Sequence, residues 1–292
     1  MRLALKVAPQ RSTMYAALAR RLAEPELRAS PLGERLASVE TARLAGQDYL
    51  LVELAGELTP RDRAVLSRLA AISEAHEYLP TVGALDGPFL RPLESVFEPF
   101  VPIEIVETRR YRGKTNELFT GVLLNLALFA GEVAGRLDER VRVHDPLAGG
   151  GTTLFAALAR GYDAIGIERE RADVESTDTY VRQFLGDAGV PFKRTEERVR
   201  GLGRRTVFSI GRPPDARTLA LVWGDAYEAP ALLDGLPGGA RCHAIVADLP
   251  YGVRHRGDVA DLLARALPRW ARALLPGGAA ALAWDAAQLH RA

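Results

Sequence analysis

Cysteine is almost missing from this sequence: Cys242 stands alone among 292 residues. One thiol excludes an internal disulfide and any cysteine-rich zinc site. Long apolar runs are missing too, none approaching the ~20 residues needed to cross a bilayer. Residues 1–8 are too short a stretch, and too broken by charge, to serve as a secretory leader. Net charge is close to nil, +1 from 38 Lys and Arg against 37 Asp and Glu. A strongly basic nucleic-acid binder is thereby excluded, and any such footprint has to be local. These absences lead to the expectation of a soluble, cytoplasmic protein with no membrane partner. What is present, 48% apolar and 26% charged residues, is a globular composition, enough for one large domain or two ordinary ones.

Two halves read differently. Up to about Val106 the pattern is mixed: a helix over Tyr15–Leu27, a strand over Tyr49–Leu54, and a helix over Pro60–His76 opening at Thr59. Pro88, Pro92, Pro99 and Pro102 then punctuate the chain. We therefore expect a smaller α+β domain over residues 1–106 and a second domain over 107–292. In the second, helices (Asn116–Leu137, Gly151–Arg160, Arg171–Leu185, Asp258–Leu274) alternate with short apolar strands (Val141–His144, Asp163–Ile167, Leu219–Trp223, His243–Ala247). The last helix is stopped by Pro276, Gly277 and Gly278, before a strand over Ala279–Trp284. That alternation predicts a mostly parallel, Rossmann-like α/β sheet with right-handed crossovers. Ligands of such sheets sit beyond the carboxyl ends of the strands, where strand order reverses.

The chemistry-bearing residues fall at those ends. After the first strand of the second domain comes His144-Asp145-Pro146-Leu147-Ala148-Gly149-Gly150-Gly151-Thr152-Thr153, which opens a helix. Consecutive glycines admit positive φ and close ligand approach, and the helix start offers unpaired N–H groups. The dinucleotide fingerprint Gly-x-Gly-x-x-Gly is absent, because Leu154 stands where its last glycine is needed, which disfavours a nicotinamide dehydrogenase. Glu168 ends the next strand, about 20 residues beyond the glycines, where a carboxylate can accept from ribose hydroxyls. Asp225 follows the third strand. The fourth runs into Asp248-Leu249-Pro250-Tyr251-Gly252. Upstream, Thr115 or Asn116 would cap the first long helix.

Taken together, these motifs resemble those of S-adenosylmethionine-dependent amino-methyltransferases acting on nucleic acids. Asp145–Thr153 is similar to their first motif, Lys114–Phe119 to the Lys-x-x-Glu-Leu element, and Asp248–Tyr251 to the Asp/Asn-Pro-Pro-Tyr/Phe signature. The resemblance implies a cofactor site made of Asp145, Pro146, Ala148, Gly149, Gly151, Thr152 and Thr153, with Glu168 on the ribose. Asp225 would accept from the adenine amine, and Asn116 would close one side. It implies catalysis by Asp248, Pro250 and Tyr251. A conjugated amine is a poor nucleophile, and accepting its protons at Asp248 and at a backbone carbonyl near Leu249 or Pro250 frees the lone pair. Pro250 stiffens the loop, and Tyr251 offers a ring for base stacking, worth ~1–3 kcal/mol. Metal is not called for.

The order of parts, cofactor loop before tetrad, and the Asp-Leu-Pro-Tyr-Gly wording are similar to tRNA guanine-N2 methyltransferases and their bacterial and archaeal relatives. That implies guanine N2 in tRNA as the target. Adenine N6 in DNA is the enzymatic alternative, and a non-catalytic cofactor- or RNA-binding partner the other; a protein-glutamine methyltransferase fits less well, since those sites usually begin with Asn. The substrate would meet Leu249, Gly252, Arg254, Arg256, Arg110 and Arg112. The basic run Lys193, Arg194, Arg198, Arg200, Arg204 and Arg205 is a further candidate phosphate path. Residues 1–106 carry no recognised RNA-binding module, so their RNA-binding or accessory role is an expectation. Family members end the sheet with an antiparallel hairpin for which too little chain follows Trp284. Either the sheet edge is shortened, a partner subunit covers it, or the chain is incomplete; an exposed edge invites association, so a homodimer is an expectation.

Overall fold

The computed structural model describes residues 1–111, 113–249 and 259–285. The chain divides into two compact units, Met1–Glu98 and Pro99–Ala292.

The first unit is an antiparallel sheet of β1 (Arg2–Val7), β2 (Leu36–Leu44), β3 (Gln47–Leu54), β4 (Ile72–Val82) and β5 (Leu85–Leu93), ordered β2-β3-β1-β4-β5. Helices α1 (Thr13–Ala29) and α2 (Pro60–Leu66) complete it. Leu3, Leu5 and Val7 are buried, and Leu3 and Leu5 lie opposite buried Val52 and Leu50 on β3. Ala4, between Leu3 and Leu5, is buried as well, as befits the central strand of the sheet. Ala45 and Gly46 both take positive φ, 47° and 79°, to turn β2 into β3, as a tight hairpin demands.

The expected helix over Pro60–His76 is wrong in its second half. It opens as expected, with Thr59 and Asp62 forming a capping box, but ends at Leu66, and Ile72 begins β4. A contact distant in sequence decides this: the buried carboxylate of Glu26 accepts from the amides of Ala70 and Ala71, both at 2.8 Å.

The second unit holds a seven-stranded sheet, ordered β12-β11-β6-β7-β10-β9-β8. Its strands are β6 (Arg142–Asp145), β7 (Asp163–Glu168), β8 (Phe192–Val199), β9 (Gly203–Ile210), β10 (Arg217–Trp223), β11 (Cys242–Asp248) and β12 (Leu274–Ala283). Helices α3 (Glu104–Glu107), α4 (Glu117–Ala130), α5 (Thr152–Ala159), α6 (Arg171–Asp187), α7 (Ala229–Leu233) and α8 (Val259–Arg272) join them. The pairs β12/β11, β11/β6, β6/β7 and β7/β10 are parallel, so the Rossmann-like α/β class is observed. From β6 the chain steps outward to β7 and β10, then returns to β11 on the other side. Strand order thus reverses between β6 and β11.

Several expectations need correction. The run Lys193–Arg205, read as a connection, forms the antiparallel hairpin β8–β9 beside β10. Antiparallel strands thus extend the sheet at the β10 edge, and among the described residues nothing pairs with the outer side of β12. Helix α4 stops at Ala130 rather than Leu137, with extended Gly131 as its cap. Pro276, Gly277 and Gly278 do not stop α8, which ends at Arg272. They form an irregularity inside β12, whose register jumps from Cys242↔Leu274 to Ala244↔Ala279, with Gly277 at φ 72°. Residues 99–106 belong to the second unit, ahead of the boundary expected from the prolines. Val101 and Ile105 are buried, and the Phe100 amide donates to the Ala159 carbonyl at 2.9 Å.

Candidate active site

Asp145 ends β6 and is buried. Its Oδ1 accepts the Leu147 amide at 3.0 Å and starts the turn into the glycine loop. Burial, with the charges of Asp248 and Glu168 acting the same way, pushes its pKa up to about 7 against bonds from Leu147 and Thr153. Pro146 is buried directly after it. The Ala148 amide donates to Ile167 at 2.9 Å, and the Gly151 amide to Ala148 at 2.7 Å. Gly149 and Gly151 take φ of 48° and 88°, a region open to glycine at little cost. Gly151 is the cap from which α5 starts, so Thr152 and Thr153 form its first turn.

Glu168 ends β7. Its Oε2 accepts from the Gly149 amide at 2.9 Å and its Oε1 from Glu170 at 2.7 Å. One carboxylate thereby braces the loop and keeps lone pairs for another donor. Asp225, after β10, accepts the Tyr227 amide at 2.9 Å and caps a short turn of 3-10 helix. Beside it, the Trp223 indole donates to the Arg169 carbonyl at 3.1 Å.

Three residues that sequence reasoning passed over bind residues 108–111 and 113–116 to this edge. Arg109, buried beneath the loop, donates from Nη1 to the Gly150 carbonyl and to Thr177 Oγ1 at 2.8 Å. Its guanidinium stacks on Tyr111 and Tyr180, 5.1 and 5.3 Å from their ring centres. The Tyr111 ring lies against Gly150, where a Cβ would come within 2.3 Å of it, and its hydroxyl meets Thr152 Oγ1 at 2.6 Å. Thr115 donates to Asp248 Oδ2 at 2.7 Å. Of these, Thr115 figured in the reading of the sequence as a possible helix cap. Asn116 holds the cap instead, its Oδ1 accepting from the Phe119 amide at 3.0 Å. Lys114 donates to the Val106 carbonyl at 2.8 Å and pairs with Glu117.

Asp248 ends β11, on the far side of the strand-order reversal from Asp145. Burial raises its pKa, and the bond from Thr115 opposes the rise. Leu249 has no accessible surface and belongs to the apolar cluster with Ile167, Val222, Ile245 and Trp270, so its side chain is core. The substrate role expected of it narrows to its backbone carbonyl. Pro250, Tyr251, Gly252, Arg254, Arg256 and Arg112 lie outside the described residues. Arg110 is exposed.

Half of the second basic run is neutralised. Arg194 pairs with Asp178 at 2.7 Å and Glu196 at 2.8 Å, and Arg204 with Glu175 at 3.2 Å and Glu196 at 3.1 Å. Arg205 is buried and meets Glu197 at 2.9 Å. As a phosphate path the run keeps only exposed Lys193, Arg198 and Arg200. Among the described residues no helix is long and apolar enough to cross a membrane.

No protein-family model and no curated protein matches the chain. Solved structures align with parts of it at low similarity. A precorrin-8W decarboxylase from Methanobacterium thermoautotrophicum aligns over 58% of this chain and 63% of its own, at 17% identity and TM-score 0.34. A 16S rRNA N2-guanine methyltransferase from Thermus thermophilus, solved with AdoMet and guanosine, aligns over 92% of this chain and 53% of its own, at 19% identity and TM-score 0.32. Trm5b from Pyrococcus abyssi aligns over 95% and 82%, at 12% identity and TM-score 0.30. This chain therefore spans less than two-thirds of the first two proteins. Likeness of this degree assigns no activity, and the functional reading rests on the site itself.

Proposed function

We propose that this chain transfers a methyl group from S-adenosylmethionine to an exocyclic amino group of a nucleic-acid base, namely guanine N2 in RNA, with tRNA the first candidate. The observation carrying this reading is the placement of Asp145 and Asp248. They end neighbouring strands β6 and β11 where strand order reverses, close enough for the Asp248 charge to raise the Asp145 pKa. A cationic cofactor suits the site, because Asp145 and Glu168, which would hold it, are acidic. The loop beside them is open, with nothing within 4 Å of a Cβ built at Gly149.

S-adenosylmethionine, when bound, supplies an electrophilic methyl group whose carbon–sulfur bond breaks with the electron pair kept by sulfur. In this reading Asp145, Pro146, Ala148, Gly149, Gly151, Thr152 and Thr153 hold its methionine end. Glu168 takes the ribose, Asp225 the adenine amine, and Asn116 closes one side. Asp248 accepts an N–H from the base amine, turning the lone pair out of conjugation as the nitrogen–carbon bond forms. The methylated nitrogen then carries one surplus proton, which Asp248 or water removes. Alignment of the reacting groups contributes most, up to ~7–11 kcal/mol in good templates. Pro250 and Tyr251 would fix and stack the base, with Gly252, Arg254, Arg256, Arg110 and Arg112 along the RNA. An unpaired or flipped-out base is required, since a stacked one cannot enter such a site. The Met1–Glu98 unit would act as an RNA-presenting accessory, and the outer side of β12 would be the place for a second copy to pair.

Replacement of the acceptor tests the assignment. Asp248→Ala should lower methyl transfer by about 10²-fold or more, while calorimetry finds cofactor affinity near wild type. Full activity in that variant would remove Asp248 from the reaction.

A further inference from the structure

Residues 108–111 and 113–116 are fastened over the carboxyl edge of the sheet at successive points. Arg109 holds the Gly150 carbonyl and Thr177, Tyr111 packs on Gly150 and meets Thr152, and Lys114 is tied to Val106 and Glu117. A backbone pinned this firmly delivers the next side chain, Thr115, to one place. Its hydroxyl does not cap α4, because Asn116 does so. It crosses 133 positions of sequence to donate to Asp248 Oδ2 at 2.7 Å. A β-branched side chain has few χ1 choices, so the donor direction is fixed along with the backbone. With Oδ2 engaged, the carboxylate plane is set and Oδ1 is left to accept from another donor.

We propose that Thr115 is a positioning residue for the transfer reaction: its hydroxyl turns the Asp248 carboxylate so that the free oxygen faces the base amine. This rests on the reading of Asp248 as the group that contacts the amine. The same bond also favours the ionised carboxylate over the burial that opposes it. Loss of the hydroxyl therefore raises the Asp248 pKa and moves the acid limb of the rate profile to higher pH.

The test compares Thr115→Val, which keeps the shape and removes the donor, with Thr115→Ser, which keeps the donor. Single-turnover methyl transfer to RNA should fall roughly 10- to 100-fold in Thr115→Val, with cofactor affinity unchanged and the acid limb displaced upward. Thr115→Ser should recover most of the rate and the original limb. Wild-type rate and limb in Thr115→Val would overturn the proposal, as would equal loss in both variants, which would make Thr115 a packing residue. Should Thr115→Val not fold, Thr115→Ala against Thr115→Ser decides by the same limb. Asp248→Ala run in parallel separates the two levels: if it is inactive while Thr115→Val is normal, only this inference falls; if it is fully active, the reading of Asp248 falls and takes this one with it.

Discussion

Asp145 has a pKa of about 7 because it is buried among acidic neighbours, and a cationic ligand changes that balance. A positive group beside it stabilises the carboxylate, so binding below pH 7 has to expel a proton. The sign follows: cofactor affinity should be level above about pH 7 and weaken progressively below it. Calorimetry between about pH 5.5 and about pH 8 measures this directly, and Asp145→Asn should bind weakly with a flat profile. Affinity independent of pH in the wild type would detach Asp145 from the cofactor. Gly150 makes a steric prediction at the same scale. A methyl there would strike the Tyr111 ring at 2.3–2.6 Å, so Gly150→Ala should expel the ring. Increased Tyr111 accessibility in fluorescence quenching, with a lower melting temperature, would register it; an unchanged melt would mean the ring has room to move.

The glycine loop after Asp145 and the strand-end Asp248 were legible in the sequence as structural features, because each marks a strand end followed by a turn whose residue types are dictated by backbone geometry. Arg109, Tyr111 and Thr115 were not, since their partners Gly150, Thr152 and Asp248 lie 41 to 133 positions away. The same division runs through the elements. Strands β6, β7, β10 and β11 announced themselves as short apolar runs between helices. The hairpin β8–β9 did not, because β8 is an exposed edge with charge along its length. Its order comes from pairing with β9 and from Arg194 and Arg204 meeting acids on α6. The truncation of α2 was likewise hidden in Glu26, a residue of another helix. Glu26→Ala would leave two amides in the α2–β4 connection without that acceptor, and such buried groups cost ~1–3 kcal/mol apiece. Chemical denaturation should therefore find the first unit less stable by at least about 2 kcal/mol, with Glu26→Gln intermediate; a change within error would mean other acceptors replace it.

For the whole molecule, the central claim is methyl transfer to an RNA base, and neither unit advertises it by charge. Net charge is +1, and half of the second basic run is spent on acids. Recognition in this reading depends on the strand ends carrying Asp145 and Asp248, on either side of the reversal of strand order, more than on a basic surface. The most direct measurement is methyl transfer from labelled S-adenosylmethionine to unmodified tRNA, ribosomal RNA and duplex DNA, followed by nucleoside analysis. The account predicts label in N2-methylguanosine from RNA. Label confined to N6-methyladenine in DNA, or to no nucleic acid while the cofactor binds, would contradict it.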